Sequence, residues 1–221
     1  MAAWLFVLTG AAFVIYPAAR PFAPGGAADG TAEFASNWWL VAHLSAVVGF
    51  IAFVGALFAL RELLRETEGA RAAAGALVST WLGVGLTLPY YGAETFALHT
   101  LGRSTLNDRT ALDLAEQIRM GGTAATTFAA GLALIGIGAV VAAVAIAKSR
   151  LFERWAGIPM ALGFVLLIPQ FYVAAPLRIA HGVLVGLGCV LVAVALLRER
   201  RAPGVRRSPP VQSPRSTMTG A

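Results

Sequence analysis

Apolar residues fall in six long runs, about 3–19, 38–60, 74–97, 123–147, 155–175 and 179–198, with short polar stretches between them. Each run is near the roughly 20 residues that a helix needs to cross the hydrocarbon core of a bilayer. Only helices and closed barrels satisfy their backbone polar groups in lipid, and these runs are too long and continuous for barrel strands. The pattern predicts an all-α polytopic membrane protein. Residues 1–198 form a six-transmembrane-helix bundle, and residues 199–221 form a disordered basic tail rich in Arg, Pro and Ser. No Lys or Arg precedes the first run, so it reads as a retained span, although small residues near Ala18 and Ala19 leave cleavage open.

The polar stretches predict their own elements. The first, residues 20–37, is rich in Gly, Ala and Pro and reads as irregular. Trp38 and Trp39 follow it and suit the headgroup level, with apolar rings and wet N–H groups. The third stretch holds a short amphipathic helix. Thr110 and Asp113 open it as a capping-box-like pair, Ala111, Leu112, Ala115 and Ile118 share one face, and Gly121 and Gly122 end it. It is expected to lie flat on the outer membrane surface and to cover whatever opens there. Small residues four apart, Ser45/Gly49 and Gly182/Gly186, mark close helix packing.

Composition supports the membrane class. Apolar residues make up 58% of the chain and charged residues 13%, against about 25% charged in a soluble domain. Twelve of the 17 Lys and Arg lie on the side that holds both termini if the first run leaves the cytoplasm. That bias puts both termini inside, and the net charge of +6 needs no nucleic-acid partner. The Ala/Gly/Val/Arg-heavy usage points to a GC-rich bacterial genome and so to the plasma membrane. The lone Cys189 forms no intramolecular disulfide. Oligomeric state leaves no signal.

Depth then sorts the polar residues. His43, Tyr90, Tyr91, Glu94, His99, Gln170, Tyr172, Arg178 and His181 all fall near the outer ends of their runs, as do Tyr16 and Arg20. The inner halves are almost purely apolar. This asymmetry predicts an outward-facing polar pocket above a sealed apolar floor. Thr80, Gly83, Thr87, Tyr90, Tyr91 and Glu94 recur at three to four residues and mark the interior face of the third span. Pro89 removes a backbone hydrogen bond just below Glu94. His99 lies five positions after Glu94, about 140° around an ideal helix, and need not share its face.

Glu94 is the one acid inside an apolar run. It has three readings: protonated and bonded to a tyrosine, ionised and paired with Arg178 or Arg20, or a general acid/base. The candidate catalytic set is Glu94, His43 and His181. The candidate ligand-binding set is Tyr90, Tyr91, His99, Trp39, Gln170, Tyr172 and Arg178. Aromatic walls with a few convergent polar groups fit a lipophilic small molecule, with acid–base chemistry as one use of the pocket. Three histidines beside one acid also bring in haem b, with His43 and His181 as axial ligands, or a divalent metal. The inner halves lack the polar residues of a transport path. A non-catalytic accessory subunit is the remaining alternative.

Overall fold

The computed structural model describes residues 1–23 and 30–201. Most of the basic tail, from residue 202 on, lies outside the described residues. The described residues are helical, without strands. They form α1 (Ala2–Ala19), α2 (Thr31–Ala35), α3 (Asn37–Leu64), α4 (Ala70–Gly92), a π-helical turn at Ala93–Ala97, α5 (Leu98–Gly102), α6 (Asp108–Met120), α7 (Gly122–Ser149), α8 (Ile158–Val165) and α9 (Ala175–Arg201). Among the described residues, five helical segments are long and apolar enough to cross a membrane: α1, α3, the continuous stretch Ala70–Gly102, α7 and α9.

Helix α1 packs between α3 and α9, α4 lies along α7, and α3 joins α4. The interior is aromatic away from the polar end. Phe53 stacks on Phe164 with centroids 4.1 Å apart, and Phe13 meets Phe50 and Phe164 edge-on at 5.0 and 5.3 Å. Small residues set the closest approaches. A Cβ on Gly83 would stand 2.6 Å from the Gly131 carbonyl oxygen, so α4 and α7 touch through backbone. Gly49 sits against Ala12 and Phe13, and Gly182 and Gly186 sit against α1, so the small-residue pairs are packing features as expected.

Three sequence expectations are revised. The fifth apolar run is not one helix. Helix α8 stops at Val165, and a 3₁₀ turn covers Pro169–Tyr172. Pro169 has no N–H, and its ring collides with the carbonyl four residues back, which is that of Val165. At 1.5 Å per residue, α8 alone spans about 12 Å. The first polar stretch is not wholly irregular, because α2 forms inside it. The Glu33 carboxylate accepts from the Gly30 N–H at 2.8 Å, and Phe34 is buried beneath. Finally, α6 starts earlier than its pattern indicates. Asn107 is its cap, accepting from the Thr110 N–H at 3.0 Å, in place of Thr110 itself.

Helices α2 and α6 lie together over one end of the bundle. Phe34, Trp39, Leu98 and Ala115 form a second small core there, with Leu101 and Ile118 against it. Ala111 and Ala115 of α6 face inward as expected, whereas Leu112 is exposed. Below, this end is called the cap end.

Candidate functional site

The site begins with a break in a helix. Pro89 leaves α4 without one donor, and four residues later the chain widens into the π turn Ala93–Ala97. Within it the Leu98 N–H reaches the Ala93 carbonyl, five residues back. That step frees the Glu94 carbonyl from the Leu98 donor, and the Trp39 indole Nε1–H donates to it at 2.7 Å. π segments are rare and frequently mark functional positions. Here the turn aims the Glu94 side chain into the bundle.

The Glu94 carboxylate is held by Arg119, which α6 brings in from 25 residues away. Arg119 donates from Nε to Oε1 at 2.8 Å and from its terminal NH2 to Oε2 at 3.0 Å. The two parallel bonds make a bidentate pair. The side chains are 20% and 11% exposed, so the pair is shielded from solvent and from salt. On the other side of the carboxylate, His43 Nε2 stands 3.7 Å from Oε2. His43 Nδ1 lies 2.8 Å from the Trp39 carbonyl, which only accepts, so Nδ1 carries the proton. In the neutral ring, Nε2 then presents its lone pair toward Glu94.

A cavity of about 460 Å³ opens beside this group at the cap end. Its polar wall is Tyr16, Arg20, His43, Tyr90, Tyr91, Glu94, Arg119 and Arg178, and Tyr172 stands at its edge. Its apolar wall is Phe128, Ala129, Leu132, Ile168 and Phe171. Tyr90 stacks on Phe128 at 4.0 Å, and the Tyr16 and Tyr91 rings lie 5.7 and 6.1 Å from His43. Aromatic rings also seat the guanidiniums. Arg20 lies 5.0 Å over Phe22 and 5.1 Å over Trp39, and Arg119 lies over Phe34 and Trp39. Arg178 donates to the carbonyls of Phe171 and Val173.

Six of the ten candidate site residues meet at this cavity, His43, Tyr90, Tyr91, Glu94, Tyr172 and Arg178, together with Tyr16 and Arg20 from the same depth. Four do not line it. His181 Nε2 donates to the Gly163 carbonyl at 2.7 Å and ties α9 to α8. His99 Nδ1 donates to the Phe34 carbonyl at 2.8 Å and ties α5 to α2. Gln170 is buried but off the lining. Trp39 is fully buried behind the wall, where it holds the Glu94 backbone, so its N–H is not wet as expected; Trp38 is the exposed member of the pair.

The three histidines therefore do not form one group. The His43/His181 pair expected for haem is not assembled, since only His43 faces the cavity and His181 spends Nε2 on backbone. Among the described residues, no group of three or more His, Cys, Asp or Glu converges as metal ligands would. Of the three readings of Glu94, the ion pair is formed, and its partner is Arg119 in place of the Arg178 or Arg20 named for it. Sequence reasoning missed Arg119 and Phe128. Arg119 was legible in part, because it lies four residues after Ala115 on the inward face of α6.

The chain matches no family model, no curated protein and no solved structure among known proteins. The fold itself defines the class: a helical chain with several segments able to cross a membrane, whose described residues line a cavity with a polar wall near one end of the bundle.

Proposed function

We propose that this is a multi-pass membrane protein whose cap-end cavity binds a lipophilic small molecule, with Glu94 and His43 as the polar pair that meets it. One observation carries the reading. The cap-end cavity of about 460 Å³ has a charged and tyrosine-lined wall opposite a wall of Phe128, Leu132, Ile168 and Phe171. That volume falls within the roughly 300–1,000 Å³ of small-molecule sites. The Nε2 lone pair of His43 and the carboxylate of Glu94, 3.7 Å apart, are placed to pass a proton to or from a bound molecule.

The same reading completes the topology with six crossings. The segment after α7 returns along it. Gly157 lies beside Ala143 and Ile146, Gly136 beside Phe164, and Phe171 beside Phe128. Residues 157–172 would then cross as a broken helix, with α8 packed against both α7 and α9. The termini then lie in the cytoplasm of a bacterial plasma membrane, and the cavity opens on the outer face beneath α6, which lies along the interface.

Native mass spectrometry of the protein purified in mild detergent tests the binding reading. Wild type is expected to retain a lipophilic molecule at one per chain. Ala125→Trp, which fills the cavity mouth, is expected to lose it, while Ala130→Trp on the exposed side of α7 keeps it. Equal retention by Ala125→Trp and wild type, or no retained molecule in any of the three, overturns the proposal.

A further inference from the structure

We infer that the molecule taken by the cap-end cavity is a long-chain lipid, whose head meets the polar wall and whose tail leaves past Leu132 and Ile168 to lie in a groove between α7 and α8. The inference rests on the cavity's being a lipophile site and adds the length of its occupant and the place of its tail.

Two close approaches build the groove. A Cβ on Gly136 of α7 would stand 3.5 Å from the Phe164 carbonyl oxygen and from the Val165 Cα, and one on Gly157 would stand 2.8 Å from the Ala143 Cα. The backbones of α7 and of residues 157–165 thus make a low floor. Ile137, Val140 and Val144 of α7 line one side, and Ile158, Leu162 and Val165 line the other, all of them exposed.

The groove adjoins the cavity. Its stretch nearer the cap end, about 300 Å³, shares Leu132 and Ile168 with the cavity lining. Its farther stretch, about 460 Å³, shares Val140 and Val165 with the nearer one. The junction with the cavity falls at the break in the fifth apolar run, where Ile168 lies between the end of α8 at Val165 and the 3₁₀ turn that starts at Pro169. From Leu132 to Ala147 the groove runs about 22 Å at 1.5 Å per residue, most of the roughly 30 Å of a hydrocarbon core. The lining is apolar over this length and ends at Arg154.

An apolar groove that faces lipid does not select its own occupant, because lipid tails are as apolar as the side chains. A tail tied to a head in the adjoining cavity has the advantage, since its entry is intramolecular and takes place at high effective concentration. The order of surfaces fits one such molecule: the polar wall, then Phe128 and Leu132, then the groove.

The test titrates wild type in neutral detergent with octanol and octadecanol, followed by native mass spectrometry. The two are compared at equal mole fraction in the micelle, so that partition into detergent cancels. Octadecanol is expected to bind one per chain, at least tenfold more tightly than octanol. Val140→Trp fills the groove where its two stretches join, outside the cavity, and is expected to weaken octadecanol at least fivefold and to leave octanol unchanged. Octadecanol carrying a diazirine on its last carbon is expected to crosslink to residues 137–144 and 158–165, and to lose that crosslink in Ala125→Trp, where the cavity mouth is filled. Equal binding of the two alcohols by wild type overturns the tail site and leaves the lipophile site standing. A groove crosslink that persists in Ala125→Trp also overturns it, because free chains then fill the groove without the cavity. Failure of both alcohols to bind overturns the lipophile site as well. The wild-type comparison needs no variant to fold.

Discussion

Arg119 and Glu94 are joined by two parallel hydrogen bonds of 2.8 and 3.0 Å that fasten helix α6 to the π turn Ala93–Ala97. Both side chains are largely shielded, so loss of one partner leaves the other charged in a poor solvent. Glu94→Gln and Arg119→Gln are each expected to lower stability, and the double variant to lose less than the two summed. The coupling energy should fall at about 1–3 kcal/mol, read from unfolding in mild detergent. Strict additivity would mean that the pair contributes no more than an exposed surface bridge.

Trp39 supports the same turn from behind. Trp39→Phe keeps most of the ring and removes the N–H that meets the Glu94 carbonyl at 2.7 Å. A loss of about 1 kcal/mol is expected. Hydrogen exchange should quicken at residues 93–98 more than elsewhere, and uniform quickening across the bundle would separate Trp39 from the turn.

Backbone contact between α4 and α7 holds the wall that carries Glu94. A Cβ on Gly131 would stand 2.8 Å from the Gly83 carbonyl oxygen, while one on Gly85 meets nothing within 4 Å. Gly131→Ala is expected to cost about 1–3 kcal/mol by overpacking. Gly85→Ala should be neutral or stabilise by up to about 1 kcal/mol, since Ala suits a helix interior better. Thermal midpoints moving in the same direction for both would contradict this packing.

The three histidines separate by role. His43→Gln should weaken retention of the cavity's lipophile, because this ring faces the cavity. His99→Gln and His181→Gln should lower stability by about 1 kcal/mol each, through their lost bonds to Phe34 and Gly163, without changing retention. Retention assays on the three purified variants check the ranking, and His181→Gln behaving like His43→Gln would reverse it.

Hydropathy alone located the five long apolar helices, and spacing alone located the interior face of the third run. Thr80, Gly83, Thr87, Tyr91 and Glu94 are all buried there. What hydropathy did not show is where a long apolar run breaks. Residues 155–175 read as one span, yet Pro169 stops α8 at Val165. Depth sorting gathered His43, Glu94, the tyrosines and Arg178, which line one cavity, because residues at one depth in adjacent helices are near one another. It gathered His99 and His181 as well, although their faces point elsewhere, since depth carries no azimuth. The partner of Glu94 escaped for another reason. Arg119 belongs to a loop helix, and only packing of Ala111 and Ala115 against the cap end turns it inward.

The central claim is that the cap-end cavity opens on the outer face and holds a lipophile. Ala125→Cys places a thiol in the cavity lining, while the native Cys189 is fully buried and serves as the unreactive background. A membrane-impermeant maleimide is expected to label this variant in intact cells, from the face opposite the termini, and labelling should slow at least fivefold when octadecanol is present. Labelling only from the face that carries the termini, or equal rates with and without octadecanol, would contradict the account.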